Sequence, residues 1–315
     1  MKAFNRLILI AAVLAFCVVA LGAYVRLSDA GLGCPDWPGC YGHIGVPLHD
    51  VAQQAFPDKP LVPHKAWKEM VHRYFAGTLA TLILAICVMA WRHRNLVKPT
   101  LPTLLLLLVM FQAALGMWTV TLLLKPAVVS LHLLGGMATL GLLTWLASKR
   151  LSAANDISMR PWAVLALLIL GCQIALGGWT STNYAALVCP DFPMCQGVLL
   201  PPTDFTHAFR LIRELGQNAD GSKLSLEAMT AIHLAHRLGA LITFLYLGWF
   251  GSKLLRIPDL AVWGRVLLSI LLVQVGLGIS NVLLGLPLAV AVAHNAGAAL
   301  LLVTLVVINS KLNQG

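Results

Sequence analysis

Eight stretches of this sequence are too long and too apolar for anything but helices in a lipid bilayer. They lie at about residues 7–27, 70–91, 101–124, 127–148, 161–183, 231–252, 262–284 and 287–309. Each is near the ~20 residues that cross a hydrocarbon core. Lipid offers the backbone no hydrogen-bond partner, so the peptide groups must be satisfied inside each segment, and the short alternating segments of a membrane barrel are not what is written here. The first stretch follows Lys2 and Arg6, yet no small-residue cleavage site precedes Arg26, so it is expected to be a retained helix rather than a cleaved leader.

Charge sets the expected orientation. With the N-terminus inside, the inner connections carry twelve Lys and Arg against Asp156 and Asp259, whereas the outer ones carry ten basic and ten acidic residues. The positive-inside rule then puts both termini in the cytoplasm of a bacterial-type inner membrane and two long segments, about 28–68 and 184–230, outside. The formal net charge of +10 is therefore topological. The basic residues sit in short groups between apolar runs and form no single solvated patch, which argues against nucleic acid as a partner.

The sequence also repeats itself. Cys34-Pro-Asp-Trp-Pro-Gly-Cys40 recurs 155 residues later as Cys189-Pro-Asp-Phe-Pro-Met-Cys195. His72-Arg73 recurs after 164 residues as His236-Arg237, and Gln112, Gly116 and His132 recur after 162 as Gln274, Gly278 and His294. The expected fold is all-α: eight transmembrane helices as two tandem four-helix bundles, residues 1–150 and 151–315. An even helix number per half makes the halves enter the membrane in the same direction, related by a pseudo-twofold axis along its normal. The odd helices share Leu21-Gly22, Leu115-Gly116, Leu176-Gly177 and Leu277-Gly278, where glycine lets either a neighbouring helix or a ligand approach the backbone.

The even helices carry the chemistry. Each has one His followed four residues later by a small residue: His72 and Ala76, His132 and Gly136, His236 and Ala240, His294 and Ala298. Positions i and i+4 share a helix face. An inward imidazole with a small residue one turn along, so that a flat macrocycle can lie against the helix, is how a helical bundle holds haem. Two such histidines per half give two axial pairs, His72 with His132 and His236 with His294. A lone intramembrane His only needs a hydrogen bond across helices, but packing does not require four at similar depth in both halves. Zinc is the competitor, and its sites usually add Cys or carboxylate ligands. His43, His49, His64, His93 and His207 fall in loops or flanks and are expected to be solvated, and Cys17, Cys87 and Cys172 to be buried.

Three further features flank the histidines. Cys34 with Cys40 and Cys189 with Cys195 face an oxidising compartment, so disulfides are expected, either as loop staples or as redox groups. Glu69 lies three residues before His72, where the other half has His233. It either pairs with Arg73 or marks the reactive site. Arg73 and Arg237 either meet haem propionates or anchor the helices at the interface.

Taken together, Glu69-x-x-His72-Arg73, His132, His236-Arg237, His294 and a cysteine pair in each long outer loop resemble the haem A synthase family of cytochrome oxidase assembly, over essentially the whole chain. The resemblance implies an oxidoreductase that converts the C8 methyl of haem O to a formyl group. It assigns substrate haem O to His72 and His132 in the N-terminal half, haem b to His236 and His294 in the C-terminal half, and catalysis to Glu69. Expected partners are the lipid bilayer, haem O synthase and an electron donor, with homo-oligomers left open. If both His72 and His132 stay bound, the substrate iron has no open position, so either one histidine leaves or the methyl is oxidised by electron removal and trapped by water. The rival readings are a b-type dihaem electron carrier and a haem transporter.

Overall fold

In a computed structural model, residues 2–154, 157–218 and 221–313 are described, and Asp156, counted above among the inner charges, lies outside them. The chain is all-helical, with no strand among these residues. The long helices are α1 (Lys2–Leu27), α3 (Pro63–Arg92), α4 (Thr100–Thr121), α5 (Pro126–Ser148), α6 (Arg160–Thr182), α8 (Leu226–Leu254), α9 (Ala261–Leu283) and α10 (Leu288–Leu312); all eight are long and apolar enough to cross a membrane. Two short helices, α2 (His49–Ala55) and α7 (Phe205–Ala208), lie in the long connections.

The helix boundaries follow local chemistry. α3 begins at Pro63, seven residues before the apolar stretch, because proline is tolerated at the first helical position and the polar first turns with His64, Lys65 and Lys68 need no lipid. α8 likewise begins five residues early, where the Ser225 side chain accepts a hydrogen bond from the Ala228 N–H at 3.1 Å. α4 and α9 end in tight turns with left-handed residues, Leu123 and Leu124 in one and Gly285 and Leu286 in the other. In each turn an N–H reaches back five residues, Leu124 to Thr119 O and Leu286 to Asn281 O, both at 2.8 Å, which satisfies an orphan carbonyl. Pro126 and Pro287 then open the next helix or its cap. Two leucines with positive φ carry no sequence signal for such a turn.

The chain divides into two compact units, Met1–Leu143 and Thr144–Gly315. In the first, α3 packs on α1 and α4, and α5 approaches α4 where His132 meets Gly116 and α1 where Gly136 meets Val19. In the second, α6, α8, α9 and α10 contact one another in cyclic order. The outward faces are apolar: Val13, Met110, Leu168 and Leu272 are more than half exposed, as lipid-facing side chains would be. Cys172 is on such a face, so the expectation that it is buried fails, because a helix apolar all round gives no sign of which side packs; Cys87 is buried and Cys17 half-buried.

Both cysteine pairs are at bonding distance, Cys34 to Cys40 and Cys189 to Cys195. The first belongs to a small core in the first long connection with Tyr41, Ala52, Leu61, Ala66 and Met70, in which Tyr41 meets Phe56 edge-on at 5.5 Å. Each loop closes by the same device. The Asp36 carboxylate accepts the N–H groups of Tyr41 (2.6 Å) and Gly42 (2.8 Å), and Asp191 accepts those of Gln196 and Gly197 (both 2.8 Å). The shared Pro-Asp of the repeat is thus a turn clamp. The Gly197 and Gln196 N–H groups, with Arg237 nearby, hold the Asp191 carboxyl below its ordinary range. A depressed folded-state value contributes stability above the unfolded value of about 3.9 and loses it as pH falls through the folded one. Reduction of Cys189–Cys195 by a phosphine, which acts in acid, should therefore be slow and flat from pH 7 to 5 and faster below about pH 4. The Asp191→Asn protein should show no such step, and a wild-type profile equally flat to pH 3 would remove the clamp.

Candidate functional site

The four helix histidines occupy equivalent settings. His72 on α3 faces Gly22 on α1, and His132 on α5 faces Gly116 on α4. In the second unit His236 on α8 faces Gly177 on α6, and His294 on α10 faces Gly278 on α9. A Cβ added to these glycines would lie 3.1, 3.4, 3.1 and 3.1 Å, respectively, from the imidazole Cε1. Each Leu-Gly of the odd helices therefore makes room for a histidine ring. Each unit thus holds two such imidazoles, His72 and His132 in the first and His236 and His294 in the second.

The rings are poorly satisfied by protein alone. Nδ1 of His72, His132 and His294 is buried without a hydrogen-bond partner. An unpaired buried polar atom costs about 1–3 kcal/mol, which an occupied site can recover. No group of three or more His, Cys, Asp or Glu able to hold a metal ion occurs among the described residues. Pairs of imidazoles with glycine beside the ring and a small residue one turn on suit the two axial positions of a haem rather than the fuller ligand set of a zinc ion.

Next to His72 and His236 in the chain, Glu69 and the arginines tie helix to loop. Glu69 is the only buried acidic side chain among the described residues. One carboxylate oxygen takes Arg73 NH2 at 2.5 Å and the other the Cys34 N–H at 3.0 Å. Arg73 NH1 donates to the carbonyls of Asp36 (2.9 Å), Pro38 (3.2 Å) and Gly39. Arg237 repeats the grip on the second loop, donating to the carbonyls of Met194 and Asp191, both at 2.7 Å, and of Cys189 (3.3 Å) and Pro193 (3.4 Å). The arginine after His72 and the arginine after His236 thus each hold a disulfide loop against the helix. His233, at the place of Glu69, is buried with Nδ1 2.8 Å from Ala185 O.

His43, His49, His64 and His93 are exposed, as expected, while His207 is half-buried with Nδ1 2.6 Å from its helix-capping Asp204. Arg213 was not legible as a special residue. It is buried in the second long connection, with NH2 on Asn183 Oδ1 at 2.6 Å and its guanidinium 5.5 Å from the Trp179 ring. Gln173 was also missed, because comparing the halves sets it against Val18. Comparing the four odd helices with one another would have placed it beside Gln112 and Gln274.

Eight helices long and apolar enough to cross a membrane, each unit with two buried imidazoles, and two stapled loops define a multi-pass membrane protein. The chain belongs to the cytochrome oxidase assembly protein family (COX15-CtaA), whose model matches residues 5–306. A protein of Shewanella oneidensis named heme A synthase is 47% identical over 302 residues, covering 93% of this chain and 91% of the relative. Heme A synthases of a Caulobacter species and of Halalkalibacterium halodurans are 29% and 28% identical, over 94% and 91% of this chain and 92% and 90% of their own.

Proposed function

We propose that this chain is a haem A synthase, oxidising the C8 methyl of haem O to a formyl group. The observation that carries the reading is the duplicated imidazole pair with an unequal neighbour: the buried carboxylate Glu69 one turn before His72, and the neutral-type side chain His233 before His236. The substrate haem O is assigned to His72 and His132, residues 1–150, and haem b to His236 and His294, residues 151–315. Family membership and the relatives' names support the reaction. Charge distribution supports a plasma-membrane location with both termini cytoplasmic and the stapled loops outside. Haem O synthase, as the source of haem O, and an electron donor are the expected partners.

The chain's own groups then have distinct tasks. Turning a methyl into a formyl group removes four electrons and adds one oxygen atom, so the site must release protons and either pass electrons to an acceptor with water as the oxygen source or use dioxygen with electrons from a donor. Glu69 is the group placed to accept a proton or to offset positive charge at the methyl. His72 and His132 orient the substrate by its iron. Haem b supplies a one-electron carrier when bound. Arg237 keeps a buried Nε–H with no protein partner, which we assign to a haem propionate. Arg73 would have to share bonds already made to Glu69 and the first loop. Extraction of pigments from the purified protein tests the whole: haem b together with haem O or A is expected, and two equivalent b haems with no conversion of added haem O would turn the reading into an electron carrier.

A further inference from the structure

Each stapled loop carries a stretch without charge around and beyond its second cysteine. Residues 37–48 and 192–203 contain no Lys, Arg, Asp or Glu, although both long connections carry charges on either side of them. Each stretch turns back on itself: the Cys40 N–H donates to His43 O at 2.7 Å and the Cys195 N–H to Val198 O at 2.8 Å. Directly after these turns stand Ile44 in the first loop and Leu199 and Leu200 in the second, 86%, 69% and 90% exposed, and Leu48 further on is 79% exposed. The side chains differ between the repeats, yet the exposed apolar tip recurs. A single exposed leucine needs no explanation, but a duplicated, uncharged tip marks a surface that meets something apolar.

Both tips are fastened beside the membrane-spanning helices. Tyr74 OH donates to Ile44 O at 2.7 Å, and Tyr74 stands with Val71 and Phe75 on the exposed apolar side of α3. Tyr74 lies about 6 Å, at 1.5 Å per residue, inside the apolar stretch that begins near residue 70. Side chains lean toward the N-terminus of their helix, which brings the hydroxyl, and Ile44 with it, back to about the level where that stretch begins. The second loop is fastened to α8 at a matching level. Arg237 NH1 donates to Met194 O at 2.7 Å and Gln196 Nε2 to Thr230 Oγ1 at 3.1 Å, and Thr230 directly precedes the apolar stretch from 231.

We propose that both stapled hairpins dip into the bilayer at the histidine-bearing ends of the helices, seating Ile44 and Leu48 of one loop and Leu199 and Leu200 of the other among the upper acyl chains. The occupant of these surfaces is lipid, because they continue the exposed apolar sides of α3 and α8 at the depth where hydrocarbon begins; on α8 that side carries Leu238 and Leu241. In water the same side chains would keep their apolar area hydrated, at the cost that drives apolar groups together. The nearest acids do not oppose the seating, since the Asp36 and Asp191 carboxylates are bonded to N–H groups of their own loops. Trp37 and Phe192, at equivalent places and partly exposed, are rings that suit the boundary between headgroups and acyl chains. The seating needs no haem, so it stands apart from the reading of the helix histidines.

Unsubstituted protein in vesicles of phosphatidylethanolamine and phosphatidylglycerol, doped with a phospholipid that carries a diazirine near the top of one acyl chain, tests the seating by photolabelling. Adducts are expected within 37–48 and 192–203 as well as on the exposed faces of the transmembrane helices. Depth is read separately from nitroxides at Ile44→Cys and at Leu200→Cys, in full-length Cys17→Ser/Cys87→Ser/Cys172→Ser protein whose two disulfides are confirmed intact by mass. Both labels should collide with oxygen in preference to a water-soluble nickel chelate, as a label at the exposed apolar Leu168→Cys does, and opposite to one at the exposed Arg94→Cys in the α3–α4 connection. Adducts confined to the transmembrane helices, or nickel-dominated labels at the tips, would place the tips in water and overturn the proposal. Labels shielded from both reagents would mean that protein covers the tips, and would overturn it equally.

Discussion

Glu69→Gln protein should keep its haems and lose turnover by about 100- to 10,000-fold, the range that general acid or base steps contribute. Substrate haem or a hydroxylated product should accumulate in the purified protein. The structure gives this substitution a second effect to separate. Glu69 accepts from both Arg73 and the Cys34 N–H, and a Gln amide offers one acceptor oxygen where two donors wait. A clamp-only role predicts that Glu69→Gln and Arg73→Met fail alike, both with a first loop whose disulfide becomes readily reducible and both with less haem. A chemical role predicts that Glu69→Gln alone blocks conversion in protein whose loop stays protected. Near-normal haem A formation by folded Glu69→Gln protein would leave the carboxylate as an anchor.

His236→Ala and His294→Ala should each strip the tightly held haem b almost completely, while His72→Ala and His132→Ala should retain it and abolish conversion. Pyridine haemochrome content, set against haem A formed in the same membranes, reads both effects. In the second unit the glutamine amides bond the backbone carbonyls of His236 and His294, bonds that alanine keeps, so each variant removes the imidazole while leaving this helix contact in place. Equal loss of haem b from all four variants would refute the division between the units.

Much of this was legible before any coordinate. Hydropathy alone finds eight spans, since lipid demands long apolar runs, and all but that of α3 begin and end within about five residues of the observed helices. The outer starts of α3 and α8 were missed because their first turns are polar and are set by Pro63 and Ser225 rather than by lipid. The histidines stood out because a polar residue repeating inside apolar helices needs a reason. What surrounds them did not, because contacts between helices leave no period in the sequence. Nothing in His72-Arg73 says that the guanidinium turns to the carbonyls of a loop some 35 residues earlier. The Asp of each Pro-Asp looked like part of a repeat and proved to be the clamp of a turn. The left-handed Leu123 and Leu124 contradict local preference outright and are held by the closure of the α4–α5 hairpin.

That hairpin and its counterpart between α9 and α10 impose an order on assembly. His132 and Gly116 are 16 residues apart in the chain, as are His294 and Gly278, so two of the four imidazole contacts form as soon as adjacent helices fold back on each other. His72 and Gly22 are separated by 50 residues, and His236 and Gly177 by 59. Closing those longer loops costs about 1 kcal/mol more in chain entropy. The α4–α5 and α9–α10 hairpins thus bring their imidazole contacts together at the lower entropic cost, and the His72 and His236 contacts rely on the stapled loops that join α1 to α3 and α6 to α8.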